Sequence, residues 1–126
     1  MNLKVLLFIA CGGAMGAVMR FAVANGVHQL TGRGFPYGTL TVNILGSLMI
    51  GFLYIVLLER MALEPHWRAL IITGFLGALT TFSTFSLETF QLIEDGAMFK
   101  ASVNVVTNVF ICLATCWAGI ILGRQL

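Results

Sequence analysis

Charge is what this sequence has least of. Only 10% of its 126 residues are Asp, Glu, Lys or Arg, and the mean hydropathy is +0.97. A soluble domain carries about 25% charged residues to cover its surface, so this composition excludes one. The net charge of +2 is spread along the chain, which leaves no basic footprint for nucleic acid. Proline occurs twice, at Pro36 and Pro65. The connecting stretches are too short to form an extramembrane domain that could house a soluble enzyme. The 3 cysteines, Cys11, Cys112 and Cys116, fall inside apolar runs. Thiols there pack as small apolar groups, so neither a disulfide nor a metal centre is expected of them.

What remains is long uncharged runs. At ~20 residues for each crossing of a ~30 Å hydrocarbon core, they predict membrane helices over approximately 3–23, 37–58, 67–90 and 101–122, a single membrane domain over 1–126. Backbone groups in lipid must be satisfied within their own segment, so each run reads as a helix. Lys4 and the apolar residues after it have a signal-peptide cast, and Phe8-Ile-Ala-Cys11 faintly resembles a lipoprotein cleavage box. The apolar pattern continues through Ala24, which favours a retained first helix. Lys4, Arg60, Arg68 and Arg124 fall on one side, against Arg33 and Lys100, with Arg20 near the end of its helix. So weak a positive-inside bias permits insertion both ways, the precondition for an antiparallel homodimer.

The first run places Gly12 and Gly16 at small-xxx-small spacing, which lets helix backbones approach closely. Arg20 costs ~2.5 kcal/mol or more inside a span unless it reaches the interface or finds acceptors. It is expected near the interface, or bonded to helix-end carbonyls. In the second run Thr39, Asn43 and Ser47 share a face. The Asn43 amide has two N–H donors, for an anion or for a neighbouring helix. The fourth run carries a polar stripe of Asn104, Asn108, Cys112 and Thr115, either a structural network or a wetted, ion-lining face.

The third run holds the sharpest anomaly. Gly74 and Gly77 precede Thr80 and Thr81, whose hydroxyls can satisfy backbone groups freed by a helix break. A broken span presents carbonyl oxygens suited to a small hard cation, here at Gly77 and Thr80; the same composition is compatible with a continuous helix. Phe82 and Phe85, three apart, lie among Ser83, Thr84 and Ser86. An aromatic ring edge is positive and can approach an anion. No Lys or Arg sits at mid-depth to trap one, which favours permeation over tight binding.

Gly12-Gly-Ala-Met-Gly-Ala-Val-Met-Arg20, Gly38-Thr-Leu-Thr-Val-Asn43 and Gly74-Phe-Leu-Gly-Ala-Leu-Thr-Thr-Phe-Ser-Thr-Phe-Ser86 with Glu88 resemble the Fluc (CrcB) fluoride channel family. The resemblance covers the first three helices in order and spacing. It implies a passive fluoride channel that exports cytoplasmic fluoride across the bacterial inner membrane, built as a dual-topology antiparallel homodimer with two pores. It also implies a structural, untransported Na+ at the dimer axis, held by backbone carbonyls carried over to Gly77 and Thr80 of each chain. Phe82 and Phe85 match the family's pore phenylalanines, and Asn43 its pore asparagine. Ser83 and Thr84 match hydroxyls near the path, with Glu88 an acid towards a pore mouth. Thr39 and the helix 4 stripe of Asn104, Asn108 and Cys112 complete the expected polar track. That stripe departs from the tyrosine or serines the family commonly has there.

Two other readings compete. A proton-coupled exporter of the small multidrug type also uses four short helices and dual topology, but it needs a titratable carboxylate deep in the membrane. Here Glu88 is the sole acid within a span, and it lies near the end of its helix. A non-transporting assembly subunit accounts for the glycine faces and leaves the polar tracks without a purpose.

Overall fold

The computed structural model describes residues 1–126 as four long crossings joined by short turns. We label them α1 (Leu3–Thr31) and α2 (Tyr37–Arg60), then α3 (65–79) and α4 (Ser83–Glu94), which share the third crossing, and α5 (Met98–Gln125). All four crossings are long and apolar enough to span a membrane. The ends are set by local chemistry rather than by the hydropathy pattern. Asn2 caps α1 by accepting the Lys4 N–H at 2.9 Å. That helix runs on past residue 23 until Gly32, whose φ of +78° suits glycine. There the Gly32 N–H turns back to the His28 carbonyl at 2.8 Å. Arg20 therefore lies about three turns inside α1 rather than near its end.

Glycines decide which helices touch. A Cβ at Gly12 would lie 2.1 Å from the Leu70 carbonyl oxygen, and one at Gly16 2.2 Å from that of Phe75. On the other side of the bundle, a Cβ at Gly51 would lie 2.1 Å from the Cys116 oxygen, and one at Gly119 2.3 Å from that of Leu48. The fold is thus two closely zipped pairs, α1 with α3 and α2 with α5. With no water to release between helices in lipid, such backbone proximity supplies the packing energy.

The small core of Val42, Leu76 and Leu79 joins the two pairs, directly beneath the interruption between α3 and α4. Large apolar side chains such as Phe21, Phe99, Phe110 and Trp117 point outward, as a lipid-facing surface requires. Within α3, α2 and α5 the backbone widens to π-helical turns over Ala69–Leu76, Tyr54–Arg60 and Thr107–Ile111. The first of these lies against α1 just before the interruption, and the last carries Asn108.

These contacts carry a direct test. Gly51→Val or Gly119→Val forces side-chain atoms into the facing backbone, and overpacking of this kind costs about 1–3 kcal/mol or more. Both variants are expected to lower the thermal midpoint of the detergent-purified protein sharply. Gly26→Ala, with open space around its Cβ, should leave the midpoint unchanged or raised. A Gly119→Val protein as stable as the parent would contradict this packing.

Candidate functional site: a helix break beside a groove

The third crossing stops being helical at Thr80, whose φ and ψ of −85° and 158° are extended, and it restarts at Ser83. In a continuous helix the Thr81 N–H would bond the Gly77 carbonyl, and the Thr84 N–H that of Thr80. Both donors are diverted. Thr81 N–H donates to Asn43 Oδ1 at 2.8 Å, and Asn43 Nδ2 donates back to the Thr81 carbonyl at 3.1 Å. One side-chain amide thereby satisfies both backbone groups of Thr81, as a neighbouring strand would. Thr84 N–H goes to Thr81 Oγ1 at 3.1 Å, which makes Thr81 the capping residue of α4. Thr80 turns back, its N–H and its hydroxyl both donating to the Leu76 carbonyl, at 3.2 and 3.1 Å.

The diverted donors leave the Gly77 and Thr80 carbonyls without their helical partners. In lipid such oxygens need another partner, and clustered backbone carbonyls suit a hard cation. The two oxygens have the donor chemistry that a small hard cation takes. This chemistry lies in the backbone; the residue types matter through the diversions they cause.

Asn43 continues into a chain of amides. Its Nδ2 also donates to Asn108 Oδ1 at 2.9 Å. Asn108 Nδ2 donates to the Asn104 carbonyl and to Asn104 Oδ1, at 2.9 and 3.0 Å. Asn104 Nδ2 donates to the Thr89 hydroxyl at 2.9 Å, which donates to the Phe85 carbonyl at 2.8 Å. Both Asn43 hydrogens thus go to protein acceptors, where the sequence also allowed them to face an anion. Asn104, only 1% exposed, faces Thr89 in the interior and does not line the groove.

Alongside the break runs an open groove of about 490 Å³, with Gly77, Thr80, Phe82, Phe85, Asn108 and Cys112 in its walls. The Phe82 and Phe85 rings meet edge to face, centroids 5.2 Å apart. Their surroundings differ. Phe85 is 7% exposed and packs as a wall, while Phe82, just ahead of the helical restart, is 76% exposed and forms an open lip. Ser83 and Thr84 are exposed beside it. Thr39 and Glu88 stand outside the groove, tied together by a hydrogen bond from the Thr39 hydroxyl to Glu88 Oε1. That bond joins the first turn of α2 to α4.

Sequence reasoning named Thr81 as a hydroxyl able to satisfy a freed backbone group, as it does for Thr84, and missed Thr89. The capping role of Thr81 was legible in its three-residue spacing to Thr84, a capping distance. Thr89, which anchors the amide chain, gave no such signal, because its partner Asn104 is on another helix.

A small multi-pass membrane protein with an aromatic-walled groove beside a helix break is the class this architecture defines. Residues 7–120 match the family model described as "CrcB-like protein, Camphor Resistance (CrcB)", and the chain belongs to that family. It is similar to the "Fluoride-specific ion channel FluC" of Methylococcus capsulatus (strain Bath), 52% identical over 126 residues, 100% of this chain and 55% of that protein. The chain thus spans about half the length of that relative. The protein of the same description from Coxiella burnetii (strain Dugway 5J108-111) is 50% identical over 122 residues, 96% of this chain and 97% of the other. For that of Geobacter sulfurreducens the identity is 49% over 121 residues, covering 96% and 98%. Family membership displaces the small-multidrug-type exporter reading, and this is not a family of enzymes.

The cap is testable alone. Thr81→Val removes the acceptor for the Thr84 N–H and should cost about 1 kcal/mol, read as a lowered thermal midpoint, and Thr81→Ser should restore most of it. Equal midpoints for the valine and serine variants would contradict the capping role.

Proposed function

We propose that this chain forms a fluoride-selective, passive channel that lets cytoplasmic fluoride leave the cell across the bacterial inner membrane. One observation carries the reading. Relatives described as fluoride-specific ion channels match the chain over essentially its whole length, with the break, the groove and the amide chain inside the match.

The residues support roles consistent with this. Ring edges of Phe82 and Phe85 and the hydroxyls of Ser83 and Thr84 offer weak, neutral contacts to a small anion. Thr39 and Glu88 stand towards a mouth of the path, while Asn43, Asn104, Asn108 and Cys112 supply its polar backing. No Lys or Arg lines the groove, so an anion is passed on rather than trapped. A membrane potential contributes ~2.3 kcal/mol per charge per 100 mV, which drives the anion outward without ATP.

The groove is open on the Phe82 side, and the reading closes it with a second, inverted copy. The near balance of positive charge between the two sides favours such dual topology. A structural Na+ would be held at the axis by the Gly77 and Thr80 carbonyls of both copies. When bound it supplies positive charge that neutralises these oxygens and ties the copies together. The whole of 1–126 acts as one membrane domain in this account.

Purified protein in liposomes is expected to release fluoride, followed with a fluoride electrode, while retaining chloride. Free chloride leak without fluoride efflux would overturn the reading. Phe82→Ile and Phe85→Ile should each lower fluoride flux at least several-fold with the dimer intact by gel filtration. Undiminished flux in both would remove the rings from the path.

A further inference from the structure

We propose that Asn108 is a positioning residue for the cation site: acting through Asn43, it keeps the Gly77 carbonyl free and so couples α5 to the helix break. The inference rests on the cation reading of Gly77 and Thr80 given above.

The argument starts from a competition. Gly77 offers a free carbonyl only while the Thr81 N–H has a better acceptor, and that acceptor is Asn43 Oδ1, at 2.8 Å. A side-chain amide is nearly symmetric in shape, so its orientation has to be fixed by its partners. Turned over, Asn43 would set its NH2 against the Thr81 N–H. The Thr81 carbonyl opposes that turn by accepting one Asn43 hydrogen at 3.1 Å, and Asn108 Oδ1 reinforces this by accepting the second at 2.9 Å. Asn108 is fixed in turn, because its Nδ2 faces two oxygens of Asn104. Asn104 is fixed by the Thr89 hydroxyl, whose own proton is committed to the Phe85 carbonyl.

Every donor in this series points the same way. It begins at the Thr81 N–H, passes through Asn43, Asn108, Asn104 and Thr89, and ends on the Phe85 carbonyl. Aligned hydrogen bonds polarise one another, so each amide that donates becomes a stronger acceptor. The far links therefore strengthen the pull of Asn43 Oδ1 on the Thr81 N–H. Asn108, Asn104 and Thr89 are all buried, so water does not readily replace a missing member. The α5 asparagines Asn104 and Asn108 act here on the cation site rather than as donors to a passing anion.

The test is a Na+ titration of the purified full-length protein at constant ionic strength, with K+ as the replacement ion. Two readouts are followed, the Na+-dependent rise in thermal midpoint and the Na+ dependence of fluoride efflux. In Asn108→Ala the Na+ concentration for half-maximal effect should rise about five-fold or more, the scale of one lost buried hydrogen bond. Asn104→Ala, one link further away, should shift it less. Asn108→Asp keeps an oxygen facing Asn43 and, as the neutral acid, turns its proton to the Asn104 oxygens that Nδ2 now serves, so it should recover part of the loss. Ser102→Ala, exposed on the same helix, should leave the titration unchanged.

If Asn108→Ala lowers the midpoint equally in Na+ and K+ with an unshifted titration, the residue is merely structural and the proposal fails. If wild-type protein shows no Na+ response, the cation site itself is wrong and the coupling falls with it. Should Asn108→Ala not fold, Asn104→Ala and Asn108→Asp decide: unshifted titrations in both overturn the proposal.

Discussion

The pairing of the Asn43 amide with the Thr81 backbone is the interaction on which the rest of this structure depends. A helix broken inside a membrane exposes peptide groups that water cannot reach. Here one side chain from α2 satisfies both groups of Thr81, and the Thr81 hydroxyl caps the restart of the helix. The break is therefore stable without filling every carbonyl. Those of Gly77 and Thr80 are left over by the same diversions that hold the break open. The repair of the ladder is incomplete, and these oxygens are what it leaves open.

That arrangement requires α2 and α5 to stand close to the third crossing. Asn43 reaches Thr81 from α2, and Asn108 reaches Asn43 from α5. The approach of α2 to α5 is set by Gly51 and Gly119, and that of α1 to α3 by Gly12, Gly16 and Gly74. Gly46 extends the same logic to the break, since a Cβ there would lie 2.2 Å from Thr80 Cγ2. Small residues thus bring polar groups on different helices within hydrogen-bonding distance. At the break the exposed Phe82 stands beside a buried Phe85.

Much of this was legible in the sequence. Uncharged runs gave the crossings, and glycine spacing pointed to the close-packed faces, because both depend on local composition. The break at Thr80 was only one of two outcomes compatible with that composition, and family resemblance pointed to it more firmly. The end of α1 was misplaced because hydropathy fades gradually beyond Arg20, whereas the backbone turns at Gly32. The Asn43, Asn104 and Asn108 amides were recognisable as groups in need of partners. Which partners they take was not, since each bond depends on helix rotation in three dimensions. Two donors on one residue cannot reveal from sequence whether an anion or a carbonyl receives them.

The central claim is that the broken ladder leaves specific carbonyls available to a cation. The most direct measurement is the 13C carbonyl resonance of selectively labelled Gly77 and Thr80, recorded by solid-state NMR on protein in bilayers, in Na+ and in K+. The account predicts a Na+-specific displacement of both resonances, with the zipped-helix carbonyls of Leu48 and Cys116 unmoved. Identical Gly77 and Thr80 resonances in the two salts would contradict it.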